Sequence, residues 1–135
     1  MADPVEGAAA RTAARVVVVD DDSLVLAVAR RVLDRAGYAV AVYEDVQRAL
    51  SDVTTNKPFA VVADLNMPGM SGDVLLKLVA QISPETFRLL YTGDGQASEL
   101  ERALAPGLTH AVVSKMAGPR ALPEALDRLR HTPRG

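Results

Sequence analysis

Residues 16–23 read VVVVDDDS, a β-branched run that ends abruptly in three aspartates. Four consecutive valines have no polar face, so they fit a strand buried on both sides of a parallel sheet better than an amphipathic strand or helix. Three adjacent like charges at the end of such a strand repel one another, and something must answer that repulsion. A divalent cation among acidic groups is the answer this stretch points to.

Working outward, the hydrophobic period switches repeatedly. Val25, Val28, Ala29, Val32 and Leu33 recur at helical spacing, with Ser23 placed to cap the helix and Gly37 to end it. Strand-like segments follow at 38–43, 59–63, 87–91 and 111–113. Helical segments alternate with them at 46–53, from Ser71-Gly72-Asp73 through Leu75, Leu76, Leu78 and Val79, at about 97–104, and over Leu122, Ala125, Leu126 and Leu129. Parallel neighbours need helical crossovers, and right-handed crossovers cover both faces. Five strands and five helices therefore imply a doubly wound (βα)5 three-layer α/β sandwich.

The chain has 135 residues, 49% of them hydrophobic, which suits one domain. The division expected is a flexible N-terminal tail at 1–14, a domain at 15–131 and a short C-terminal tail at 132–135. With 15 basic and 17 acidic residues the formal charge is −2, so no global field favours nucleic acid or an anionic membrane. Cysteine is absent, which removes disulfide and thiolate chemistry. No apolar run reaches the length of a membrane span, and the N-terminus lacks the pattern of a secretory signal, so a cytoplasmic location is expected.

The reactive side chains cluster by position. Asp20, Asp21, Asp64, Thr92 and Lys115 each fall at or just beyond the C-terminal end of an expected strand, the edge where open α/β sheets bind ligands. Asp22, with Ser23, reads more simply as a helix cap. A hard, oxygen-only acidic cluster selects Mg²⁺ or a related ion, which keeps several waters and leaves a carboxylate free to react. Such a carboxylate can attack phosphorus and form an aspartyl phosphate. The charge on the transferred group then calls for a cation, an ammonium and a hydroxyl.

The stretches VVVVDDD, VVADLNMPGMSG, LLYTG and VVSK, in this order, resemble the receiver (response regulator) domain of two-component signalling over about residues 15–131. The resemblance implies a flavodoxin-like five-stranded sheet of order 2-1-3-4-5. It implies Asp64 as phosphoacceptor from a histidine of a sensor kinase or phosphotransfer protein, with Mg²⁺ held by Asp20, Asp21, Asp64 and the backbone carbonyl of Asn66. Lys115 would pair with a phosphoryl oxygen and Thr92 would move toward it. Asn66 and Asp94 would tune dephosphorylation, Gly93 would leave the site open, and Met67-Pro68-Gly69-Met70 would shape the loop. Such a module is a switch rather than an enzyme. It would act on a downstream protein or a linked output domain, without direct nucleic acid or membrane binding, and the last two helices with the strand between them would offer a homodimer surface.

Two positions depart from the family pattern. Met116 stands where proline usually follows the lysine, and a cis bond before a non-proline residue costs about 2.5 to 4 kcal/mol, so a trans bond and a rebuilt loop are expected. Val112 stands where an aromatic switch residue is frequent. These departures keep open a phosphorylation-independent scaffold. A Mg²⁺-dependent phosphohydrolase would need a general acid at Asn66, which amide chemistry does not supply. Arg30, Arg31 and Arg35 read as a solvated helix face that would also suit kinase docking. His110 reads as an exposed bystander, and His131 as a cation at a helix C-terminus.

Overall fold

A computed structural model describes residues 13–93, 104 and 106–131. Five strands form one sheet, β1 (Arg15–Val19), β2 (Ala39–Tyr43), β3 (Ala60–Ala63), β4 (Phe87–Thr92) and β5 (Ala111–Ser114), in the order β2-β1-β3-β4-β5. Every neighbouring pair is parallel. Four α-helices are described, α1 (Ser23–Arg35), α2 (Val46–Asn56), α3 (Gly72–Ile82) and α4 (Ala121–Arg130). The helix expected at about 97–104 lies outside the described residues except for Leu104, as do most of the expected tails, 1–12 and 132–135.

The valine run behaves as its composition demands. Val16 and Val18 join one core with Leu26, Leu33, Leu89, Leu122 and Leu126, while Val17 and Val19 join the other with Val53, Leu75, Leu76, Val79 and Leu90. All four valines are at most 1% exposed. At about 25 cal/mol per Å² of buried apolar surface, a strand sealed on both faces contributes more to stability than a half-exposed one. Strand order reverses between β1 and β3, and both strands end in an aspartate there, Asp20 and Asp64.

Several local expectations are corrected. Of the two residues expected to cap α1, Asp22 does so and Ser23 does not, the Asp22 Oδ1 accepting from the backbone N–H groups of Leu24 and Val25. The buried stripe of α1 is Leu26, Ala29 and Leu33, and Val28 is 42% exposed. Residues 24–29 are apolar all round, so periodicity does not choose the face there; packing against β1, β2 and α4 does. Helix α2 runs on to Asn56 and stops where Lys57 enters the left-handed region at φ 47°.

Two buried charges are answered in different ways. Asp52 accepts from Arg15 Nε and Nη2, the Tyr43 hydroxyl and Asn56 Nδ2, tying α2 to β1 and β2. Arg88, 7% exposed within β4, directs its guanidinium, among the described residues, at carbonyls, those of Leu108, Gly107, Pro84 and Thr86. His110 is not a bystander: its Nδ1 accepts from the Arg88 N–H at 3.0 Å and its own N–H donates to Arg88 O at 2.7 Å. His131 sits at the C-cap of α4, where the helix dipole favours a cation.

Candidate functional site

The C-terminal ends of β1, β3, β4 and β5 surround one acidic pocket. Parallel pairing puts Asp20 and Asp64 side by side: Asp64 N donates to Val19 O at 3.1 Å, and Asp20 N to Tyr43 O at 3.2 Å. One carboxylate oxygen from each of Asp20, Asp21 and Asp64 lies within 4.8 Å of the others. Asp20 is 2% exposed and Asp64 8%, while Asp21 faces solvent. Backbone and side chain share the work of holding Asp20, whose Oδ1 accepts from Asp22 N at 2.9 Å and whose Oδ2 accepts from Lys115 Nζ at 2.8 Å.

Lys115 Nζ also lies 3.4 Å from Asp64 Oδ1. The lysine therefore points into the acidic pocket although its loop is rebuilt. No cis peptide occurs among the described residues, and Lys115–Ala117 form a single 3-10 turn in which Ser114 Oγ accepts from Met116 N. Met116 itself is 75% exposed.

Electrostatics follow from burial and pairing. Burial raises the Asp20 pKa; Lys115 and the Asp22 N–H offset part of that rise, and nearby Asp64 adds to it. Burial opposes the Lys115 ammonium, but Asp20 and Asp64 outweigh it and raise its pKa. Tyr91, buried beside them, has its phenol raised by desolvation. Two of the three clustered carboxylates pair with the one ammonium, and an all-oxygen donor set of this kind fits Mg²⁺.

The remaining expected residues fall around this centre. Thr92 ends β4 and is fully buried at 0% exposure. Asn66 is exposed on the loop after β3. Gly93 presents only backbone: a Cβ there would lie 3.9 Å from Lys115 Cδ. Asp94 lies outside the described residues. Met67, Pro68, Gly69 and Met70 border a hollow of about 350 Å³ with Asp21 and Glu44, and Gly69 holds φ 82°, the left-handed turn that the loop needs. Val112 packs on the α2/α3 side of the sheet, whereas Tyr91 lies on the α1/α4 side.

One residue that the sequence placed only at the start of a helix packs directly against Asp64. Gly72 opens α3, donates its N–H to Leu65 O at 2.8 Å, and sits so close that a Cβ would fall 2.2 Å from Asp64 O. A glycine eight residues after an aspartate-ended strand carries that signal only once the strand-to-helix return is drawn.

Comparison with known proteins agrees with this architecture. A family model described as "Response regulator receiver domain" matches residues 16–127. The response regulator MprA of Mycobacterium sp. (strain KMS) is 33% identical over 116 residues, covering 86% of this chain and 49% of that protein. The transcriptional regulatory protein PrrA of Mycobacterium tuberculosis is 49% identical over 61 residues, 45% of this chain and 26% of that protein. The chemotaxis response regulator CheY4 of Vibrio cholerae superposes with a TM-score of 0.76 at 25% identity, covering 87% of this chain and 99% of that chain. The chain spans only between 14% and 49% of the length of the curated relatives it matches. With the doubly wound sheet, the acidic pocket at its switch point and the family match across most of the sequence, the chain belongs to the response regulator receiver domain family.

Proposed function

We propose that this domain accepts a phosphoryl group on Asp64 from a phosphohistidine of a sensor kinase or phosphotransfer protein, and that the aspartyl phosphate shifts its affinity for a partner. The observation that carries this reading is the position of Lys115 Nζ, 2.8 Å from Asp20 and 3.4 Å from Asp64, inside a pocket whose three carboxylates lie within 4.8 Å of one another. In the transfer, an Asp64 oxygen bonds to phosphorus as the phosphorus–nitrogen bond breaks, and the electron pair leaves with the donor imidazole. Lys115 pairs with a phosphoryl oxygen, giving up part of its contact with Asp20. Thr92 moves from its buried position to donate its hydroxyl, so the phosphorylated state favours a different arrangement of β4 and the segment after it.

Asp20, Asp21, Asp64 and the Asn66 carbonyl would hold Mg²⁺. When bound, the ion supplies charge neutralisation at the transferred group. Asn66 and Asp94 would set the rate of hydrolysis of the aspartyl phosphate. Output would pass to a separate protein, a linked domain or a second copy, through a face that includes β5 and α4. A cytoplasmic site of action suits this role; among the described residues no helix is long and apolar enough to cross a membrane.

The test is incubation with Mg²⁺ and acetyl phosphate followed by intact mass spectrometry. The expected product is a single adduct that hydroxylamine removes and that Asp64→Asn does not form. A protein that forms no adduct and binds no beryllofluoride is a scaffold instead, and sustained turnover of a phosphate ester would make it a hydrolase.

A further inference from the structure

Lys115 has two tasks in the acceptor reading: it must balance the carboxylates before transfer and meet a phosphoryl oxygen afterwards. Its side chain is long and rotamer-rich, and the residue that follows it is not the ring-constrained proline but Met116, in a 3-10 turn. Asp20 and Asp64 pair with the ammonium, and contacts along the side chain add to what they hold. Its stem passes over Gly93, where only backbone lies beneath it. Beside its head stands Tyr91, with the ring centroid 5.8 Å from Nζ, within the range of a cation–π contact.

Tyr91 is 7% exposed and belongs to the α1/α4 core with Leu89 and Val113. Its hydroxyl makes no hydrogen bond with any other described residue, so what it presents to Lys115 is the ring. On the opposite face Val112 offers no π-system. Tyr91 also lines a hollow of about 250 Å³ with Leu24, Val25, Val28, Lys115 and Pro119. The Lys115 side chain is 21% exposed there, so its ammonium is partly desolvated beside the ring.

We infer that Tyr91 is a positioning residue for phosphoryl acceptance, its ring keeping the Lys115 ammonium between Asp20 and Asp64, where an incoming phosphoryl oxygen will be. The inference rests on Asp64 being the acceptor. It assigns the work to an aromatic side chain on β4, next to the buried threonine.

The test compares wild type with Tyr91→Phe, Tyr91→Leu and Tyr91→Met, each with Lys115 intact and with Lys115→Ala, by the rate of adduct formation from acetyl phosphate and Mg²⁺. With Lys115 intact, Phe should match wild type, while Leu and Met should each be roughly tenfold slower, as a partly desolvated cation–π contact allows. In the Lys115→Ala background all four side chains should give the same rate. Equal rates for Tyr, Leu and Met with Lys115 present overturn the inference and leave the acceptor reading standing, and so does an equal loss in the Lys115→Ala background. Wild type without any adduct overturns the acceptor reading and this inference together. If neither Leu nor Met folds, the ε-methylene protons of Lys115 in wild type decide: a ring-current upfield shift supports the contact, and ordinary lysine shifts overturn it.

Discussion

Lys115 Nζ stands 2.8 Å from Asp20 Oδ2, an ion pair that joins the second strand of the sheet to the fifth across β3 and β4. Asp20 is almost wholly buried, and its other oxygen is taken by the Asp22 N–H. Removing the ammonium leaves a buried carboxylate short of its charged partner. Lys115→Ala should therefore lower the unfolding free energy by about 1 to 3 kcal/mol in chelator. Millimolar Mg²⁺ should restore part of that loss, read as the midpoint in urea. An unchanged midpoint in chelator would mean that the pair is not closed in solution.

Asp21 is the exposed member of the acidic trio and lies outside the core. Asp21→Asn should leave the midpoint within about 0.5 kcal/mol of wild type without metal, as for an ordinary surface change. It should also abolish most of the thermal shift that Mg²⁺ gives wild type. Differential scanning fluorimetry with and without chelator reads both effects, and a retained shift would move the metal elsewhere.

Gly72 has no room for a side chain, since its Cβ would meet Asp64 O at 2.2 Å and Leu90 Cδ2 at 3.0 Å. The carbonyl is backbone and does not swing aside. Gly72→Ala should cost about 1 to 3 kcal/mol, the usual range for overpacking, and should slow phosphorylation by moving the acceptor. A variant as stable and as fast as wild type would show that α3 slides freely.

Asp52 gives the fold an acid-sensitive joint. Burial alone would raise its pKa, but Arg15, Tyr43 and Asn56 outweigh that and hold it at about 2. A folded pKa below the unfolded one means that stability is fully present above about pH 4 and is lost as pH falls toward about 2, an effect of roughly 2 kcal/mol. Asp52→Asn should flatten the pH dependence of the urea midpoint over that interval. A variant with the same acid slope as wild type would place the titration in other groups.

The alternation of strands and helices and the five polar side chains at strand ends were legible because each is written locally, as a two-sided valine strand, an acid where it ends and a return helix; the order of strands in the sheet came from the resemblance of the motifs to a known family. What was not legible depends on packing between distant segments. Val28 and Leu26 are equally apolar, and only the neighbours of α1 decide which one is buried. Ser23 and Asp22 are both good caps, and the choice is made by where the chain leaves β1. Asp52 looks like any surface acid of an amphipathic helix until Arg15 and Tyr43 approach it from two strands. His110 was misjudged for the same reason, since its partner is the backbone of a residue 22 positions away. The trans bond at Lys115-Met116 was foreseeable from peptide energetics, but that the lysine would still meet Asp20 was not.

The carbonyl grip of Arg88 has one more effect. Among the described residues β5 is an outermost strand, with β4 as its one neighbour in the sheet, the kind of border that ordinarily unzips first. Here its foot is moored by the guanidinium and the His110 imidazole, and its head by Lys115. A strand fastened at both ends transmits a tug on one as tension at the other, so a phosphoryl group arriving as proposed would be felt on the far side of the molecule without β5 detaching.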